Sequence, residues 1–123
     1  MSTTSRESGK TILFTNSTGN DIAVNSVVVI GSLLAIATVN IPDGESGECS
    51  VEGVHKLPKT AGVVFDLGEK LIWDVSAGAF IKSNATPAAG DISGAAICWA
   101  AAVSGATVCY VKINPALGTV ETG

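Results

Sequence analysis

The sequence predicts an all-β domain, a small antiparallel β-barrel or sandwich of about eight short strands. Three observations carry this. Gly (14 residues) recurs along a chain of 123 residues, and the apolar content of 46% is mostly Ala, Val and Ile, with aromatics at only 5%. Short β-branched runs alternate with clusters of Gly, Asn, Asp, Ser and Pro, which suit strands and tight turns. Charged residues make up 15%, too few for a disordered chain at this hydrophobicity. The length is that of one domain. It is read as a polar arm over 1–10, a β domain over 11–113 and a C-terminal tail over 114–123.

Residues 1–10 have no apolar residue beyond Met1 and no periodicity. They cannot offset an ordering entropy of roughly 1–2 kcal/mol per residue, so contacts outside the domain are expected to order them. Thr11–Thr15 reads as the first strand and Asn16–Asp21 as a turn. Val27–Ile30 and Leu33–Val39 flank Gly31-Ser32, a two-residue loop of the type II′ kind. It sets Ile30 against Leu33 and Val28 against Ala35. Ile41–Gly47 is a turn, and Glu48–Lys56 is expected as one strand with a bulge at Gly53. Pro58 ends it, having no N–H to donate. Val63–Phe65 and Lys70–Val75 flank the turn Asp66–Glu69, and Ala79–Lys82 is a further strand. In Ala95–Val103 the alanines favour a helix while Ile97, Cys98, Trp99 and Val103 fit a strand; Ser104-Gly105 and the alternation in Ala106–Ile113 favour a hairpin, which would place Trp99 opposite Tyr110. Cys98 and Cys109 then lie diagonally, roughly 7–8 Å apart, beyond comfortable disulfide reach.

The formal charge is −4, from 11 acids against 7 bases. Arg6 is the only arginine and the lysines do not cluster, so a phosphate-neutralising stripe is missing and no nucleic-acid partner is expected. No membrane span is expected, because the most apolar stretch, Val27–Ile41, is interrupted by Gly31-Ser32 and falls short of roughly 18–20 residues. The segment MSTTSRESGK has no apolar h-region, so no signal peptide is expected and the three cysteines read as free thiols. Thr4–Thr11 comes near the phosphate loop GxxxxGK[ST], but Thr4 replaces the first Gly and a strand follows where a helix is required. Asp43–Glu48 has too few oxygen ligands at the right spacing for a cation loop. His55 is the only imidazole, there is no zinc spacing and no GxSxG elbow, so no catalytic residue, cofactor or metal is assigned. Trp73-Asp74 reads as core followed by turn.

Eighteen charged side chains must keep a folded surface of about 6,000 Å² soluble. So low a density suggests burial against other chains. Two contacts of about 800 Å² each would cover roughly a quarter of the surface, and a symmetric oligomer follows naturally.

The run Val51-Glu-Gly-Val54, Leu57-Pro-Lys59, Gly62, Gly68 and Leu71-Ile-Trp-Asp74 resembles the small phage capsid-cement, or head-decoration, family encoded beside major capsid proteins. Val27-Val-Val-Ile-Gly31, Leu34-Ala-Ile-Ala37, Ile41, Gly44-Glu45 and Gly47 precede it in the family's order. Ala100-Ala-Ala-Val-Ser-Gly105, Val108 and Val111 follow it, so that the match spans about residues 11–113. His55-Lys56 departs from an aromatic-then-variable pair. The resemblance implies a non-enzymatic structural protein of the virion. It would bind the outside of the assembled head, contact the major capsid protein, form a homotrimer and assemble in the host cytoplasm. Arg6 and Lys10, the cations of the arm, are the expected capsid contacts. A small-ligand-binding β-barrel module is the alternative, and it would require a deep apolar pocket in each monomer.

Overall fold

The structure, a computed structural model, describes residues 9–116 and 118–122. These contain no helix and two antiparallel sheets. The small sheet has the order β1-β4-β3-β2, with β1 at Thr11–Thr15, β2 at Val27–Ile30, β3 at Leu33–Ala37 and β4 at Ser46–Ser50. The β2–β3 hairpin has the expected register, Ile30 opposite Leu33 and Val28 opposite Ala35. Gly31 takes φ 59 at the first turn position, as a type II′ loop demands and as a side chain there would resist.

The large sheet has the order β5-β9-β8-β6-β7, with β10 also on β8. Its strands are β5 at Val54–Pro58, β6 at Lys70–Asp74, β7 at Ala79–Ile81, β8 at Ile92–Ala100, β9 at Val108–Ile113 and β10 at Thr119–Val120. One parallel bridge, Lys59 to Phe80, draws its two ends together. The two sheets form a sandwich rather than a closed barrel.

Three expectations need correction. Glu48–Lys56 is not one strand: β4 ends at Ser50 and β5 begins at Val54, in the other sheet. Gly53, at φ 105, is the corner where the chain changes sheets rather than a bulge, a conformation that β-carbons oppose. Val63–Phe65 is reduced to a bridge, with Phe65 and Ala102 exchanging N–H···O bonds of 2.9 and 3.0 Å. In the β8–β9 hairpin the pairing Cys98–Val111 fits the expected register, but the next pair is Ala100–Tyr110. Trp99 is the extra residue of a β-bulge, which leaves it without a partner across the ladder.

Packing explains the apolar content of β3. Leu34 and Ile36 face the main core with Leu57, Phe65, Leu71, Trp73, Phe80, Val111 and Ile113. Ala35 and Ala37 face a second cluster with Val28, Ile41 and Cys49, against which Ile12 and Phe14 pack. A strand buried on both faces reads as a continuous apolar run. Trp73 meets Phe80 edge to face at 4.9 Å, while Asp74 caps the following turn through Ser76 and Ala77.

One side-chain amide bonds across the two sheets. Asn114 Nδ2 donates to the carbonyls of Leu34 at 2.6 Å and Val51 at 2.8 Å, and its Oδ1 accepts from Leu34 N at 3.1 Å. Cys49, Cys98 and Cys109 are buried free thiols. Burial raises all three, and Cys109 is pushed up to about 12, so they pack as small hydrophobes rather than react.

Candidate functional site

Period-two alternation decides what the large sheet shows to solvent. On β9, Cys109, Val111 and Ile113 point into the core, leaving Val108, Tyr110 and Lys112 on the outer face. On β5, Leu57 is the buried residue and Val54, Lys56 and Pro58 are outward. Register puts Val54 beside Lys112, Lys56 beside Tyr110 and Pro58 beside Val108. On the other side of β9, Ile97 pairs with Lys112 and in turn with Lys70 of β6.

On β8, Trp99 follows the inward Cys98 and so stands on this surface, 53% exposed, next to the Ala100–Tyr110 pair, where Tyr110 is 49% exposed. Beyond it, the bridge between Phe65 and Ala102 sets the exposed Val64 and Val103 at the tip of the same sheet. Five of the twelve exposed large hydrophobics among the described residues, Val64, Trp99, Val103, Val108 and Tyr110, therefore lie toward this tip of the large sheet, and Val54 stands on the same face at the far end of β5. Scattered exposed apolar residues are ordinary, but a clustered group with Trp and Tyr marks an interaction surface.

β5, β8 and β9 contain no Asp or Glu, so the charged side chains on their outer face are Lys56 and Lys112. Lys70 of β6 stands beyond Ile97, with Asp74 on the same side of its strand and Asp66 and Glu69 in the preceding turn. Among the described residues the ion pairs all involve Lys82, with Asp66 and Glu69. Lys56 and Lys112 thus have no acidic partner among the described residues. The result is a basic, aromatic face on a protein of net charge −4.

The other charged groups hold structure. Burial pushes the Glu69 carboxyl up, but hydrogen bonds from Asp66 N, Ser83 N, Ser83 Oγ and Lys82 Nζ outweigh it and hold the group at about 2. Lys82 is raised in turn, chiefly by its hydrogen bond to Glu69. Lys59 is buried, with Nζ donating to the carbonyls of Thr60, Val63 and Ala106 and lying 4.9 Å from the centre of the Phe65 ring. It pins the 60–65 segment to the β8–β9 tip. Asp43 accepts from Gly19 N and Asp21 accepts from Asp43 N, which cross-links two turns.

Of the two residues expected to touch the capsid, Arg6 lies outside the described residues. Lys10 is exposed at the entrance to β1, where its carbonyl accepts from Val51 N. It is on the small sheet, not with the lysines of the large one. Strand β1 occupies the place where a phosphate loop would need a helix. His55 places a ring nitrogen 3.1 Å from the Glu52 carbonyl, and no group of three or more metal-ligating side chains occurs among the described residues. The hollows of the surface are open depressions, such as the one lined by Lys70, Ser83, Ser93 and Thr119 and the one lined by Asn25, Ser26, Pro58 and Trp73. Neither is the deep apolar pocket that a ligand module requires.

The basic aromatic face was not foreseen from the sequence. The alternations Val54-x-Lys56-x-Pro58 and Val108-x-Tyr110-x-Lys112 were visible there, but not the pairing that lays one against the other.

A family model described as phage cement protein matches residues 6–113. No curated protein and no solved structure matches the chain.

Proposed function

The chain belongs to the phage cement protein family, which gives it a structural role in the phage capsid, and from that premise we propose that it binds the outside of the assembled head and stabilises contacts between capsid subunits. The partner is the major capsid protein, and the working form is a homotrimer without catalytic activity. The observation that carries this reading is the family match, and a filled core under exposed apolar surface, Trp99 and Tyr110 included, which neighbouring subunits can cover, supports it. A scaffold of this kind offers surface rather than a cavity. A trimer engages several capsid subunits at once, so weak contacts add through high effective concentration. An acidic protein has little attraction for packaged nucleic acid, which favours an exterior position. Lys10, with Arg6, is retained as a capsid-contact proposal.

The test is addition of purified protein to heads that lack it, followed by heating or osmotic shock. Saturable binding outside the shell and retention of DNA to higher stress are expected. Heads that neither bind the protein nor gain resistance would refute the proposal. Saturable ATP binding lost in Lys10→Ala would refute the non-catalytic reading.

A further inference from the structure

The acidic residues of the small sheet divide into two kinds. Asp21 and Asp43 are each committed to a backbone amide of the other's turn. Glu45 and Glu48 are exposed, and among the described residues neither carboxylate has a hydrogen-bond or ion-pair partner. Glu48 lies opposite Leu13 in the β1–β4 ladder, and Leu13 is 64% exposed. From residue 9 to residue 51 the chain carries Asp21, Asp43, Glu45 and Glu48 against Lys10 alone, four acids to one base. Among the described residues, the small sheet thus offers an unpaired Glu48 beside Leu13 and an unpaired Glu45 just before β4, whereas the large sheet offers unpaired lysines beside aromatic side chains.

We propose that the outer face of β5–β9–β8 binds the β1–β4 side of a second copy, with Lys56 and Lys112 against Glu45 and Glu48, and Trp99 and Tyr110 against Leu13. Both halves of the contact are present in this chain, and each supplies the charge and the apolar group that the other lacks. Two different patches in one contact make it heterologous. Such a contact closes into a ring when its rotation permits and otherwise propagates. The inference rests on the oligomeric part of the proposed function and gives that oligomer its interface. It also accounts for the chain's low charge density, because some of the few charges are neutralised between copies.

Sedimentation equilibrium on the full chain, at low and high salt, tests it. The wild type should associate, and less tightly as salt rises. Lys56→Glu with Lys112→Glu should weaken association by about tenfold or more, as should Glu45→Lys with Glu48→Lys, because each sets like charges face to face. The four substitutions together restore complementarity with reversed sign. Association should then return to within about threefold of wild type, which also shows that the substituted chains fold. The milder pair Lys56→Gln and Lys112→Gln should give a smaller loss in the same direction. Wild-type association in either double variant, or no recovery in the fourfold one, would overturn the proposal, as would a wild type that is monomeric at every concentration. Head binding is measured in parallel. A lysine variant that keeps its oligomer but no longer binds heads would assign this face to the capsid partner instead. Failure of the interface is thereby separated from failure of the cement function.

Discussion

Asn114 follows β9 at φ 53, a left-handed conformation that asparagine tolerates better than most residues. From there its amide reaches both Leu34 and Val51, so one side chain supplies three bonds between β3, the strand crossover and the end of β9. Asn114→Ala leaves those backbone groups without these partners and should cost about 2–4 kcal/mol, readable as a lower urea midpoint with unchanged slope. Glu69 gives a pH dependence of definite sign. Its folded value of about 2 lies below the ordinary 4.5, so its contribution is complete above pH 4.5 and is lost as pH falls toward 2. The full difference corresponds to at most about 3 kcal/mol. Glu69→Gln should therefore be less stable than wild type at pH 7, and the gap should narrow steadily between pH 4.5 and 2 in urea titrations. A gap independent of pH would mean that the carboxylate's charge is irrelevant.

Single elements depend on close approaches that only glycine permits. A β-carbon at Gly118 would lie 2.7 Å from Ile92, 2.8 Å from Ala95 and 2.8 Å from the Ser32 carbonyl. Gly118 N also donates to that carbonyl. Gly118→Ala should therefore loosen β10 from β8. Hydrogen exchange should show lost protection at Thr119–Val120 and near Ser93, with β9 unaffected. Gly47 is a second such position, where a β-carbon would meet the Ile41 side chain at 2.6 Å. Because Ile41 fills the second core cluster, Gly47→Ala should cost about 1–3 kcal/mol by overpacking, seen as a lower thermal midpoint. The bulge at Trp99 is an element-level device of another kind. One extra residue in β8 puts Ala100 rather than Trp99 opposite Tyr110 without disturbing Cys98 opposite Val111.

At the scale of the whole molecule, charge and apolar surface are segregated. The β1–β4 side is acidic, and the outer face of β5–β9–β8 is basic and aromatic. If those surfaces meet between copies, the folded state is stabilised by mass action and melting depends on concentration. The wild type should melt higher as its concentration rises, and Trp99→Ala should reduce that dependence while leaving the dilute melting temperature nearly unchanged. Calorimetry over a wide concentration range reads both. A melting temperature independent of concentration would remove the coupling between folding and association.

The features legible from the residues alone are local. Gly31-Ser32 between two β-branched runs dictated the β2–β3 hairpin and its register, because a two-residue loop leaves no freedom in pairing. Trp73 followed by Asp74 marked core then turn, whereas Pro58 is itself paired with Val108 and Lys59 N still donates to the Thr107 carbonyl, so its missing N–H breaks no bond. Family membership was also legible, in the ordered run from Val27 to Val111. Tertiary structure alone decided where pairing is not between neighbours. Nothing local distinguishes a strand with a bulge at Gly53 from two strands in separate sheets, since Gly permits either backbone. The choice was made by β5 pairing with β9, more than fifty residues later. The same pairing placed Lys56 beside Tyr110, and the bulge set Ala100 rather than Trp99 opposite Tyr110. The basic aromatic face is a product of long-range register, which the alternation of side chains constrains but does not specify.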